Sequence, residues 1–185
     1  MINISVMNFI LKNFKTYLFP LGLILILSFS RIIPHPPNFT PIIAVAIMSS
    51  YFFKNIYLSI ATLLISMLLA DLFIGFYENM IFVYASLLFI NFIFYKIQSK
   101  INIKNLFIFC FSGSLIFFVI SNFGFWYLGS LGVYNLPYEY NLKGLMECYV
   151  LAIPFFGNTF FSTIIFSYIS FAASSILIKK LKYNI

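Results

Sequence analysis

Residues 56–76 read IYLSIATLLISMLLADLFIGF, 21 residues with a single charge, Asp71. A helix rises about 1.5 Å per residue, so about 20 apolar residues cross the ~30 Å hydrocarbon core of a bilayer. This stretch therefore reads as a transmembrane helix, and similar runs flank it on both sides. Reading apolar runs between polar breaks predicts spans at Tyr17–Ile33, Pro41–Phe53, Ile56–Phe76, Met80–Ile97, Leu106–Leu128 and Phe156–Ile178. Only Lys54-Asn55 separates the second from the third. Merged, the two would be far too long for one crossing, so they are counted as two. The expected fold is an all-α integral membrane bundle of about six transmembrane helices, with residues 1–185 as one transmembrane domain.

Composition agrees. Of 185 residues, 63% are hydrophobic and 8% charged, and the mean hydropathy is +1.04. A soluble domain carries roughly a quarter of its residues charged. The net charge of +7 does not read as a nucleic-acid signal, because the lysines stand in short groups between apolar runs. Lys12 and Lys15 precede an apolar run, as in a signal peptide, but the run ends in Ser-Arg-Ile-Ile-Pro without a small-x-small cleavage site. It is expected to be retained as the first span.

Charge also orients the bundle. With the N-terminus inside, Lys12, Lys15, Lys54, Lys96, Lys100, Lys104, Lys179, Lys180 and Lys182 fall in cytoplasmic segments, leaving Arg31 and Lys143 outside. The acidic residues Asp71, Glu78, Glu139 and Glu147 fall outside as well. Excess Lys and Arg in cytoplasmic loops is the rule for multi-pass proteins, so both termini are expected in the cytoplasm. Cys110 and Cys148 then lie near opposite faces, too far apart for a disulfide, whose Cα atoms lie within about 7 Å.

Two stripes of small residues mark packing faces: Ser59, Thr62, Ser66 and Ala70, and Ser167, Ser170 and Ser174. Such stripes let helices approach closely and hydrogen-bond.

Polar residues that packing does not explain gather on the external side. The connection RIIPHPPNFTP, 31–41, holds four prolines in eight positions and the only histidine. Proline cannot propagate a helix and pushes its predecessor toward extended geometry. A rigid extended loop is expected, either a stiff connector or a binding element presenting His35, Asn38 and Thr40. Asp71 lies about 22 Å along its span by the helical rise, and Arg31 has similar depth in the first. Buried charges in a bilayer pair or face a cavity, so these two are expected to pair, the alternative being that both snorkel to the interface. Asn122 and Trp126 are four apart and share a helical face; Trp126 is either an interfacial anchor or a stacking surface. The stretch Gly129–Pro154 is the longest polar connection, a candidate lid, and ends in Pro154-Phe-Phe-Gly-Asn158.

No phosphate-cradling loop, zinc-protease motif or nucleophile elbow is present. One histidine and two separated cysteines make no protein-built metal site, and no cofactor is expected.

The blocks at 31–41, 68–76 (LLADLFIGF), 121–126 (SNFGFW) and 154–159 (PFFGNT) resemble an uncharacterised bacterial membrane family over about residues 20–178, with PHPPNFTP the most specific part. That family in turn resembles the substrate-binding S components of energy-coupling factor vitamin transporters. The resemblance implies a six-helix protein of the cytoplasmic (inner) membrane with an outward ligand pocket under loops. It also implies an energising membrane subunit or ATPase module as partner. The expected function is uptake of a small organic solute of the vitamin or precursor class, without enzymatic activity. Its expected binding residues are Arg31, His35, Asn38, Asp71, Asn122, Trp126 and Asn158. Two alternatives stand beside it: an intramembrane enzyme using His35 and Asp71 as acid and base, and a non-catalytic scaffold for other membrane proteins.

Overall fold

The computed structural model describes residue 18, residues 21 and 22, residues 24–134 and residues 138–183, with side chains through residue 176. Lys12, Lys15 and parts of the expected first span lie outside the described residues, as do the side chains of Lys179, Lys180 and Lys182. The described part is helical, without strands. Residues 24–29 belong to the first helix, α1, which passes into a 3-10 turn at Ser30–Ile32. Five helices follow: α2 (Ile42–Phe53), α3 (Ile56–Ile74), α4 (Met80–Lys96), α5 (Leu106–Ser130) and α6 (Leu142–Tyr183). Three of them, Ile56–Ile74, Leu106–Ser130 and Leu142–Ile176 within α6, are long and apolar enough to cross a membrane, which points to a membrane protein.

The bundle is organised around α2. Every residue from Ile42 to Ser50 is buried, and α2 touches α3, α4, α5 and α6. A helix that is apolar on all sides belongs in a core. At 12 residues it is only about 18 Å long, about half the length of α5. The Lys54-Asn55 break ends it cleanly. Lys54 adopts a left-handed φ of 49°, and the Asn55 side chain accepts hydrogen bonds from the Tyr57 and Leu58 amides, capping α3.

Both small-residue stripes face inward: Ser59, Thr62, Ser66 and Ala70 are buried, as are Ser167, Ser170 and Ser174. The first joins a polar knot between α2, α3 and α4. There the fully buried Asn91 amide donates to Ala46 O at 2.9 Å and contacts the Ser49 and Ser59 hydroxyls at 2.8 Å. Ser50 returns a bond to Asn91 O at 2.9 Å. Between α4 and α5 the backbones close at Gly124, where any Cβ would overlap the Phe82 side chain.

One expected boundary is corrected. The sixth helix begins at Leu142, not Phe156, so Leu142–Phe155 is not part of a long external loop but helix. Pro154 lies inside it. Lys143, Glu147 and Pro154 interrupt the apolar run without ending the helix. The helix lies antiparallel beside α5: Tyr149 Oη donates to Val119 O at 2.6 Å, Ser114 bonds Thr163 at 3.2 Å, and Tyr168 reaches Ile103 O, just before α5, at 3.2 Å.

Candidate functional site

Of the polar residues, Arg31 and Asp71 meet as expected. Arg31 Nη1 lies 2.9 Å from Asp71 Oδ1, with the Asp71 side chain fully buried. Tyr84 Oη donates to the other carboxylate oxygen at 2.7 Å, and Arg31 also contacts Met67 Sδ at 3.4 Å. This cluster ties the end of α1 to α3 and α4.

The proline loop departs from the expected extended path. It folds into a turn, with Phe39 N donating to Pro36 O at 3.0 Å and Asn38 at φ 61°, a left-handed geometry that asparagine tolerates. His35 is exposed and serves its own loop, its ring nitrogens 2.9 Å from Pro36 O and 3.2 Å from Arg31 O. The loop is tied to α6. Asn158 Nδ2 donates to Pro37 O at 3.0 Å, and Asn158 stands about 24 Å along α6 from Leu142 by the helical rise. The loop is thus held against α6.

Beside it lies a cavity of about 340 Å³, within the size range of small-molecule sites. Asn38 contributes from the loop, and Asn79 and Val83 from the start of α4. The middle of α5 supplies Phe117, Phe118, Ser121, Asn122 and Phe125. The opposite wall is α6, with Cys148, Phe155, Phe156 and Thr159 among its residues, and Tyr138 stands at the mouth.

Most hydroxyl hydrogens on these walls are already committed. Ser121 donates to Phe117 O at 2.7 Å and Thr159 to Phe155 O at 3.1 Å. The amides of Asn79 and Asn122 donate to Ser121 O at 3.1 Å and Phe118 O at 2.8 Å. Their carbonyl oxygens have no such use, and Asn79 Oδ1 is buried without a partner. A buried acceptor left alone costs about 1–3 kcal/mol. At the mouth, burial first, then the facing Cys148 thiol and the Glu147 carboxylate, hold the Tyr138 hydroxyl above its ordinary pKa, so it stays a neutral phenol.

The seven expected binding residues therefore divide. Asn38 and Asn122 line the cavity, and Asn158 braces the loop that walls it. Arg31 and Asp71 face each other elsewhere, and His35 does not line it. Trp126 is 8% exposed, stacked on Tyr140 at 5.3 Å and 6°, with Nε1 donating to Glu139 O at 3.2 Å. It is a strut that pins the α5–α6 connection rather than an open stacking surface. Asn79, Ser121, Tyr138, Cys148 and Thr159, which also line it, are not among the expected binding residues. Ser121 and Thr159 adjoin expected residues, whereas Asn79 stands in the short break between the third and fourth expected spans.

Among the described residues no group of three or more His, Cys, Asp or Glu could hold a metal ion. Nothing among the curated proteins or the solved structures matches the chain. One family model does, over residues 6–184. The chain belongs to that family, a family of unknown function (DUF6580).

Proposed function

We propose that the protein captures a small organic solute from outside a bacterial inner membrane, as a transporter or the substrate-binding subunit of one. The observation that carries this reading is the cavity between α4, α5, α6 and the proline loop, lined by Asn38, Asn79, Ser121 and Asn122 among its polar groups. The chain would cross the membrane six times with both termini in the cytoplasm. Lys54, Lys96, Lys100 and Lys104 cluster near one end of the helices, as cytoplasmic lysines do.

In that setting the loop has a physical reason to border water. Irregular backbone at membrane depth is tolerated only where protein buries it or a water-filled cavity bathes it. Pro34, Pro36 and Pro37 help, because proline has no N–H to leave unsatisfied. The solute would enter past Tyr138, with the α5–α6 connection as its cover. The resemblance to S components of energy-coupling factor transporters fits this arrangement and would bring an energising membrane subunit or ATPase module as partner. An intramembrane enzyme using His35 and Asp71 is less well supported. Asp71 is engaged by Arg31 and Tyr84, and His35 by backbone carbonyls.

Native mass spectrometry of the protein purified from its own membranes tests the proposal. The expected result is a small molecule released from the intact chain, and less of it from Asn122→Leu. Protein that carries none, together with turnover of a lipid, would replace capture with catalysis. An obligate protein partner and no small molecule would point to a scaffold.

A further inference from the structure

We infer that the solute is an amine-bearing aromatic molecule, taken up as a cation or neutral hydrogen-bond donor and never as an anion. This rests on the cavity being a solute site, and deepens that reading by its chemistry.

Three independent features converge. The first is the balance of hydrogen bonding. Ser121 and Thr159 have spent their hydrogens on their own helices, and Tyr138 turns its hydroxyl toward the Cys148 sulfur. The walls still offer oxygen lone pairs, together with the side-chain amides of Asn38, Asn79 and Asn122. Those lone pairs are met by the N–H or O–H groups of a solute.

The second is charge. No Lys or Arg lines the cavity, so an anion would enter without a counter-charge, at a high desolvation cost. The mouth favours the opposite sign. Among the described residues that end of the bundle carries Asp71, Glu78, Glu139 and Glu147 against Arg31 and Lys143. Arg31 is consumed by Asp71, and Lys143 lies 3.9 Å from Glu147. Glu78 and Glu139 are left without a cation in an ion pair, giving a field that raises the local concentration of cations and their rate of entry.

The third is the aromatic wall. Phe117, Phe118, Phe125, Phe155 and Phe156 border the cavity. Ring faces attract ammonium groups and stack on planar rings.

The test uses three probes that share one ring and differ in charge: tryptamine, indole-3-acetamide and indole-3-acetate. Each is titrated into the purified full-length protein in detergent, reading the ligand-induced rise in melting temperature. Tryptamine is expected to bind most tightly, the amide next and the acetate not at all. Asn122→Leu, which loses one intrahelical bond and one cavity acceptor, should weaken tryptamine about tenfold. Asn79→Ser gives a second reading of the same effect, should the first variant fold poorly. Acetate binding as well as tryptamine would overturn the assigned class while leaving a solute site in place. Tryptamine binding that neither variant weakens would move the site elsewhere and overturn the inference. If none of the probes binds up to millimolar concentration, the inference falls too. The native-mass measurement then decides separately whether the cavity holds any solute.

Discussion

Arg31 and Asp71 form an ion pair 2.9 Å long that fastens the end of the first helix to α3. Their positions are 40 apart in sequence, and neither charge has another ion-pair partner among the described residues. Removing one member of a buried pair strands the other, at about 3–5 kcal/mol. Asp71→Asn should therefore lower folded yield and melting temperature. Arg31→Gln combined with it should recover part of the loss, since the stranded cation disappears with its partner. Thermal denaturation of the four proteins in one detergent measures the coupling, and strictly additive losses would contradict it.

The contact of α4 with α5 makes a second, purely steric prediction. A Cβ at position 124 overlaps the root of the Phe82 side chain, which cannot swing away, whereas Gly157 has open space around its missing side chain. Gly124→Ala should destabilise by about 1–3 kcal/mol, the usual cost of overpacking. Gly157→Ala should be neutral, or stabilising by up to about 1 kcal/mol, because helix interiors favour alanine. Equal melting temperatures for the two variants would mean that α4 and α5 are not this close.

These features show unequally in the sequence. The apolar runs locate α2 to α5 within a few residues, because hydrophobicity and length suffice to find a helix of this kind. The start of α6 is hidden, since Lys143, Glu147 and Pro154 read as a loop. In the fold, Tyr149 holds that stretch against α5, and tertiary contact overrides the local signal. The Arg31–Asp71 pair is legible because two isolated charges at similar depth have few other options. The cavity is less so. Asn38 and Asn122 stand out as polar groups in apolar surroundings, but Asn79 becomes distinctive only once Ser121 O takes its amide and leaves its oxygen alone. Trp126 misleads for the opposite reason, its partner Tyr140 lying in a connection whose path no periodicity reveals.

The loop residues separate function from folding. Asn38 borders the cavity, whereas His35 bonds only its own loop. Asn38→Gly keeps the left-handed backbone accessible while deleting the side chain. It should weaken binding of the solute recovered with the protein about five- to 150-fold, the equivalent of about 1–3 kcal/mol. His35→Ala should leave that affinity within about twofold, because it removes no group from the cavity wall. Isothermal titration of both variants makes the comparison. A larger loss for His35→Ala would place the solute on the outer side of the loop.

The central claim is that water and solute reach the middle of the bundle from outside the cell. It is tested most directly at position 122, in a protein whose Cys110 and Cys148 have been replaced by serine. Asn122→Cys would face the cavity at the middle of α5, while Val119→Cys, one turn away, would stand on the exposed outer surface of the helix. A membrane-impermeant maleimide is added to intact spheroplasts, and labelling is read by mass. The account predicts rapid modification at 122, slowed by a bound solute, and none at 119, where lipid excludes water. Labelling at 122 only after the membrane is permeabilised would contradict the orientation, and no labelling under either condition would contradict the water-filled cavity itself.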